Sequence, residues 1–487
     1  MSTNGAATSL GSGWWGRPGG GREVWTLAWP LVVSTSSWTV MDFLDRIFLI
    51  WYSPTAMAAA FPAVVLSFTV ECFFLGVAMY VNAFVAQYYG AGRHHRIGLA
   101  VWQGIWLSLL AMPLMLATIP LAPAVFDFIG HEPAIRAQEV AYYQIHCVGA
   151  PGMVMAAAMS SFFTGRGRVR VVAIVDTIGA VVNVMIDYVL IFGYYGFPEM
   201  GIEGAAWGTV IGLWLRSAMY LTLILLKKNR HEFHTLSGCR FDRELFGRML
   251  YYGYPAGVQM FVEVATFSSF LMLVGGLGPH ELIATNLAFT INSLAFIPMM
   301  GMSMAVTTLV GQRLGQNEPE LAARGTWTAY EMATLYMGAI SLLYLLAPHM
   351  FLMPHQAGMD PGEFGELRDL TTVLLRFVAA YCLFDTMILV FVGALKGAGD
   401  TRFILFASLF MAPVPVLFTW LGTRVFGQGL LFSWVTITCW VCGLGTIYLV
   451  RFLQGKWRSM RVIEHAPPDL YTVGLDDAPT EEPAVAM

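Results

Sequence analysis

Charge is what this chain has least of. Only 12% of its 487 residues are Asp, Glu, Lys or Arg, against 57% hydrophobic, and the mean hydropathy is +0.63. A soluble domain carries roughly 25% charged residues. So few charges cannot coat a soluble globule of this length, which excludes a soluble enzyme, a nucleic-acid binder and a disordered protein. The apolar residues run along nearly the whole chain, which excludes a single-span receptor. What remains is a polytopic membrane protein. Cysteine is also scarce: Cys72, Cys147, Cys239, Cys382, Cys439 and Cys442, five of them in apolar stretches. Cys439 and Cys442 share one apolar run and are expected to be buried free thiols, not metal ligands. There is no phosphate-binding G-x-x-x-x-G-K, no metal-ligand spacing among the ten histidines and no nucleophile–base pair. No enzyme, metal or cofactor is read, so energy must come from an ion gradient. The first 22 residues are Gly/Ser-rich without an apolar core, unlike a cleavable signal peptide.

A helix needs about 20 apolar residues to cross a bilayer. Twelve such runs are present, near 24–50, 57–86, 98–121, 137–163, 171–194, 203–226, 247–275, 282–310, 324–347, 369–395, 403–423 and 429–453. An even count puts both termini on one side. With that side cytoplasmic, 21 of the 27 Lys and Arg fall in cytoplasmic segments. Four face the other way (Arg136, Arg368, Arg376, Arg424), and Arg46 and Arg216 lie within spans. Positive charge stays inside, so a multi-pass protein of the plasma membrane with both termini cytoplasmic is expected. The reading divides the chain into an N-terminal segment (1–23), a six-helix bundle (24–226), a basic linker (227–246), a second bundle (247–453) and a tail (454–487). That tail is polar, ends on Asp476, Asp477, Glu481 and Glu482, and is expected to be flexible.

The chain repeats itself. Pro30 in AWPLVV matches Pro255 in GYPAGV, Pro54 in YSPTAM matches Pro279 in LGPHEL, and VAQYYG at 85–90 matches VGQRLG at 310–315, all 225 positions apart. GRGRVR at 165–170 resembles GAGDTR at 397–402, at offset 232. Each unit has six spans, so both enter the membrane in the same direction. The expected fold is an all-α polytopic membrane protein: twelve transmembrane helices in two six-helix bundles, related by a pseudo-two-fold axis along the membrane normal. A cleft between bundles could open alternately to each side by rocking.

These segments resemble a known family. The blocks that carry the likeness are WP…MDFLDRIFLIW…PTAMAAA, VAQYYGAGR, VVNVMIDYVLIFGYYGFPEMGIEGAAWGTV, YPAGVQMFVEV, VGQRLGQ and CLFDTMILVFVGALKGAGDTR. They are similar to the multidrug and toxic compound extrusion (MATE) transporters, in their NorM-like bacterial branch, over about residues 24–454. Two departures stand out: Arg46 follows the first-span Asp where a small residue is usual, and GRGRVR lacks the acidic residue of GAGDTR.

A carboxylate inside the membrane costs about 2.5–3.5 kcal/mol on insertion scales, so each asks for a reason. The candidates are Asp42, Asp45, Glu71, Asp176, Asp187, Glu263, Glu331 and Asp385. Asp45 matches the family's first-span carboxylate, where desolvation favours the protonated form; the bland alternative is an ion pair with Arg46. Asn183 and Asp187 stand four apart on one helix face and match the family's N-x-x-x-D pair. Thr209 matches a family hydroxyl near that pocket, or bonds its own helix backbone. Glu263 and Asp385 match acidic positions of the second bundle, where they suit Na⁺ or proton exchange, or packing between helices. Asp42 is one turn from Asp45. Glu71 and Glu331 are matched to no family position and are as readily structural as functional, and Asp176 is expected to snorkel or cap near a helix end. Among the 28 Met and the 15 Trp, 19 Tyr and 33 Phe, Tyr381, one turn before Asp385, is the aromatic expected to face substrate.

The resemblance implies an antiporter that exports organic cations in exchange for H⁺ or Na⁺, working as a monomer among membrane lipid, with no nucleic-acid partner and no bound cofactor besides the coupling ion. The alternative is a lipid-linked precursor flippase or polysaccharide exporter of related fold, which should line its cavity with Arg or Lys to hold pyrophosphate.

Overall fold

The computed structural model describes residues 13–353 and 361–464; the acidic tail end lies outside them. Seventeen α-helices follow one another, and no strand occurs among the described residues. The first half holds α1 (Gly21–Tyr52), α2 (Pro54–Met79), α3 (Val81–Gly90), α4 (His94–Leu116), α5 (Ala122–Ile129), α6 (Pro133–Thr164), α7 (Val169–Phe192) and α8 (Ile202–Ile224). The linker contributes α9 (Lys227–Phe233). The second half holds α10 (Arg243–Gly275), α11 (Pro279–Gly315), α12 (Pro319–Leu346), α13 (Pro348–Leu352), α14 (Pro361–Ala398), α15 (Thr401–Met411), α16 (Pro413–Trp420) and α17 (Leu430–Leu453).

Ten spans pass on length and apolarity alone, and α8, bent by 66° from α9, makes an eleventh. The twelfth is α1, whose 32 residues carry Asp42, Asp45 and Arg46 within two turns. Two runs read as single spans remain single spans, each with a local interruption of the helical ladder: α2 passes into α3 at Tyr80, and α15 into α16 ahead of Pro413, both through residues with helical backbone. Proline lacks the donor that would continue the ladder. Large apolar side chains line the outer surface, such as Phe128 at 93% and Met272 at 83% exposure, which is the order expected in lipid. Cys439 also faces outward and Cys442 is half-exposed, so the expectation that these thiols are buried is corrected: their apolar surroundings are supplied by the outer surface.

The repeat is built into the packing. Pro54 and Pro279 each open a helix at its first turn. Gly92 and Asn317, 225 apart, both take left-handed backbone, with φ of 69° and 60°. The contacts between halves are reciprocal. Gln87 Nε2 donates to Gly397 O at 2.9 Å, and Gln312 Nε2 to Gly165 O at 2.8 Å. A β-carbon on Gly76 would stand 2.8 Å from Gly257 Cα, and one on Gly301 2.7 Å from Val32 N. Each pair is the other moved along the repeat, as a two-fold axis between the halves requires.

Both ends of the described chain lie at the face where these contacts occur, here the terminal face. The hydrogen bond between halves furthest from it is Thr35 Oγ1 to Ile297 O at 3.3 Å; beyond it the halves share none among the described residues. A strap follows α17 and crosses this face, correcting the expectation of a flexible tail for residues 454–464; the rest of that tail, 465–487, lies outside the described residues. Trp457 is buried and stacks on Phe452 at 4.9 Å. Val462 N donates to Gln87 Oε1 at 2.8 Å. The Glu464 carboxylate takes Arg96 at 3.2 Å and Tyr88 at 2.8 Å from the first half, and Arg248 at 3.1 Å from the second.

Candidate functional site

Helices α1, α7 and α8 meet in layers set by the helical repeat. Closest to the terminal face come Ser34, Asp176 and Tyr220, then Trp38, Gly179 and Arg216. Further in come Met41, Asn183 and Gly212, and beyond them Asp45, Asp187 and Gly208. The approach of α8 to α7 is close because Gly204, Gly208 and Gly212 repeat every four residues on the contact face. A β-carbon on Gly208 would collide with Asp187 Oδ1, and one on Gly212 would stand 3.0 Å from Asn183 Cβ.

The structure brings Asp45, Asn183, Asp187 and Thr209 together. The carboxyls of Asp45 and Asp187 stand near each other, with the Asn183 amide beside Asp187. Asp187 is 0% and Asn183 1% exposed, whereas Asp45 is half-buried. Both oxygens of Asp187, both amide atoms of Asn183 and Oδ1 of Asp45 are buried without a well-formed hydrogen bond among the described residues. Buried polar atoms are almost always satisfied, so a proton, a cation or water is what this group of oxygens is built to hold. The donors, two carboxylates and an amide, fit H⁺ or Na⁺. Thr209 donates to Ala205 O at 3.1 Å, so its hydroxyl proton is spent on its own helix. Arg46 forms no ion pair among the described residues, though it stands near Asp42 and Asp45; its guanidinium is 5.9 Å from the Phe61 ring centroid. Asp42 is exposed on α1.

Sequence reading missed Tyr142. It is buried on α6, stacks on His146 at 5.9 Å and lies near Thr209 and the carboxylates of Asp45 and Asp187. It also misplaced Asp176. That residue caps nothing: it accepts from Ser34 Oγ, from Tyr220 OH at 2.8 Å and from Arg216 Nε at 3.1 Å, deep in the bundle. The burial comes from α1 and α8, which nearness to the start of α7 does not reveal.

In the second half, Glu263 Oε1 accepts from Gln259 Nε2 at 2.6 Å and Ser408 Oγ at 3.3 Å, and Ser408 is 2.9 Å from Tyr448 OH. Lys396, read as a loop residue, lies inside α14 and faces Glu263. Asp385 is buried and Tyr381 more so, side by side on α14. No hydrogen bond joins Asp385 to Glu263 among the described residues, so this half holds two separate acidic positions. Glu71 is buried with one oxygen unpartnered, and Glu331 accepts from Trp14 Nε1 at 2.6 Å on the surface.

With this geometry in view, comparison with known proteins gives one answer. The MatE family profile matches residues 30–189 and 255–421. The multidrug resistance protein NorM of Burkholderia vietnamiensis is 30% identical over 388 residues, covering 79% of this chain and 83% of that one. The probable multidrug resistance protein NorM of Thermotoga maritima is 25% identical over 450 residues, covering 91% and 94%. Among solved structures, an outward-facing conformation of a multidrug resistance MATE family transporter superposes with a TM-score of 0.81 at 18% identity, over 91% of this chain and 96% of that one. A Pyrococcus furiosus transporter, described as having a binding pocket of reversed polarity that suggests a different function, superposes at 0.80 with 18% identity, over the same shares. The chain belongs to the MatE family, the multidrug and toxic compound extrusion transporters.

Proposed function

We propose that this transporter exports small organic cations, drugs included, in exchange for H⁺ or Na⁺ moving inward. It works as a monomer in the bacterial inner membrane, with both termini cytoplasmic, and its two bundles rock about the cleft. In that orientation the closed terminal face is the cytoplasmic one, and the arrangement is open outward.

The observation that carries the reading is the meeting of Asp45 and Asp187 with no base paired to either. Two such charges repel by about 4 kcal/mol at 4 Å and an effective dielectric of 20. One of them must therefore hold a proton, or a cation must sit between them. A cationic substrate and the returning ion then compete for the same negative charge, which is what exchange requires. Two inward bases are taken up, Arg216 by Asp176 and Lys396 by Glu263, which favours a cation over a pyrophosphate; Arg46 and the buried Arg166 have no carboxylate partner among the described residues. A flippase for lipid-linked precursors would need those guanidinium and ammonium groups free. The names of the NorM relatives point to drugs as the substrate class.

The test is efflux of a cationic dye from proteoliposomes against imposed pH and Na⁺ gradients, for wild type, Asp45→Asn and Arg46→Ala. Asp45→Asn is expected to fold, bind dye and fail to couple, while Arg46→Ala keeps coupling. Normal gradient-driven export by Asp45→Asn refutes the reading.

A further inference from the structure

We infer that Arg216 is a plug that seals the coupling carboxylates from the terminal face, so that a cation reaching Asp45 and Asp187 cannot run on through the first bundle. The inference rests on the reading of those carboxylates as the cation site.

An antiporter must let its ion reach the site from one side only at a time. Asp187 and Asp176 are eleven residues apart on α7, about 16 Å, and polar groups occupy much of the way. Between them lies a cavity of about 10 Å³, lined among others by Asn183, Thr209, Trp38, Arg216 and Asp176. That is room for about one water. Both amide atoms of Asn183 are buried without a well-formed hydrogen bond among the described residues, as is Nη1 of Arg216. A polar cavity with unsatisfied donors and acceptors at both ends is a step along which a proton or small cation could pass.

Arg216 is the one basic side chain lining that cavity. It is 8% exposed and fixed on three sides. Its stem fills the space left by Gly179, where a β-carbon would stand 2.6 Å from Arg216 Cδ. Its guanidinium lies 3.9 Å from the Trp38 ring centroid, and its Nε is bonded to Asp176. The other ionisable groups around it are Asp176 on α7 and Tyr220 on α8 at the terminal end. At the site end are Asp45 on α1, Asp187 on α7 and Tyr142 with His146 on α6.

Two properties make this side chain a seal. Arg never loses its proton in a protein and has no acceptor lone pair, so it cannot relay a proton. The Asp176–Arg216 pair is neutral as a whole but oriented: its positive end faces the site and its negative end the terminal face. A cation leaving Asp187 in that direction meets the positive end first, the arrangement by which a fixed Arg excludes cations from a pore. Asp176 behind it already accepts from three donors and offers no ready next stop.

The experiment uses the full chain in proteoliposomes without substrate, with a trapped pH dye for H⁺ and an isotopic assay for Na⁺. The double variant Arg216→Gln/Asp176→Asn removes both charges at once, so neither is left buried alone. Its substrate-independent leak of H⁺ or Na⁺ is expected to exceed the wild-type leak by about tenfold, which corresponds to a barrier lower by about 1.4 kcal/mol. Adding Asp45→Asn is expected to return the leak to background, because the path runs through the site. Gly179→Val, which keeps both charges but dislodges the Arg216 stem, is expected to leak in the same direction and carries the test should the double variant not fold. A folded variant as tight as wild type to both ions, or a leak that persists with Asp45→Asn, overturns the inference. Failure of the site reading is seen separately, as gradient-driven dye export that ignores Asp45→Asn in an otherwise wild-type chain.

Discussion

Gly208 decides by a single hydrogen atom where Asp187 can stand. Any β-carbon there collides with the carboxylate, so Gly208→Ala is expected to displace Asp187 and abolish ion coupling as fully as Asp187→Asn. Equal thermal stability with coupling lost, read by detergent-solubilised melting and by gradient-driven dye export, is the expected pair of results; unchanged export shows that the collision relaxes elsewhere. Asp176 makes a different point at the same scale. Removing one partner of a buried ion pair leaves an uncompensated charge and costs about 3–5 kcal/mol, whereas removing both is far cheaper. Asp176→Ala is therefore expected to destabilise the protein strongly, and Arg216→Gln in the same chain to restore most of the loss, as measured by melting temperature. Asn183 and Asp187 were legible because the resemblance marks an N-x-x-x-D pair there, and a spacing of four puts both on one face of a helix. Tyr142, Gly208, Ser408 and Tyr448 were not, because each acquires its meaning from a helix distant in sequence. Asp176 was misread for the same reason: its partners Ser34 and Arg216 stand 142 and 40 residues away.

Among the elements, the strap after α17 is the one whose composition misleads. Its sequence is polar, yet Trp457, Val462 and Ile463 are buried and its carbonyls are taken by arginines: Arg248 Nη2 donates to Val462 O at 2.7 Å and Arg93 Nη1 to Glu464 O at 2.8 Å. Burial pushes the Glu464 carboxyl up, but its own backbone N–H, the Tyr88 hydroxyl and the Arg96 and Arg248 guanidiniums outweigh that, and the group titrates below the usual carboxylate range. A depressed carboxylate contributes stability above its unfolded value, about 4.3 for Glu, and loses it as the pH falls through the folded value. The clamp is thus complete at neutral pH and weakens in acid. Glu464→Gln is expected to raise the rate of hydrogen exchange at residues 456–464 at pH 7, and wild type to approach the variant only below about pH 4. Identical exchange in the two proteins at pH 7 shows that the strap is held by Trp457 and Val462 alone. The twelve apolar runs, in contrast, were legible almost to their ends, because apolar length is a property of the chain itself. The local interruptions at Tyr80 and ahead of Pro413 were less so: one has no proline at all, and the other lies in a run whose hydropathy stays high across it.

For the whole molecule, the two-fold relation between halves makes a quantitative statement about switching. The terminal face is closed by pairs of contacts that exchange under the repeat: Gln87 with Gly397, Gln312 with Gly165. A state open at the terminal face must break both members of each pair. A hydrogen bond of this kind contributes about 1 kcal/mol, or roughly fivefold in population. Gln87→Ala and Gln312→Ala are therefore each expected to shift the balance toward the open state. Gln87→Ala shifts it further, because Gln87 Oε1 also receives Val462 N and its loss frees the strap. The asymmetry is the informative part: a purely symmetric interface gives equal shifts, and an interface closed mainly by the strap gives none for Gln312→Ala. Spin labels at residues 95 and 320, exposed and themselves 225 positions apart on opposite halves, report the separation by double electron–electron resonance. The longer-distance fraction is expected to rise in the order wild type, Gln312→Ala, Gln87→Ala, and to rise further in the double variant. Independent contributions would make the double shift the product of the single ones; a larger shift would show that the two halves of the seal open together as one cooperative unit.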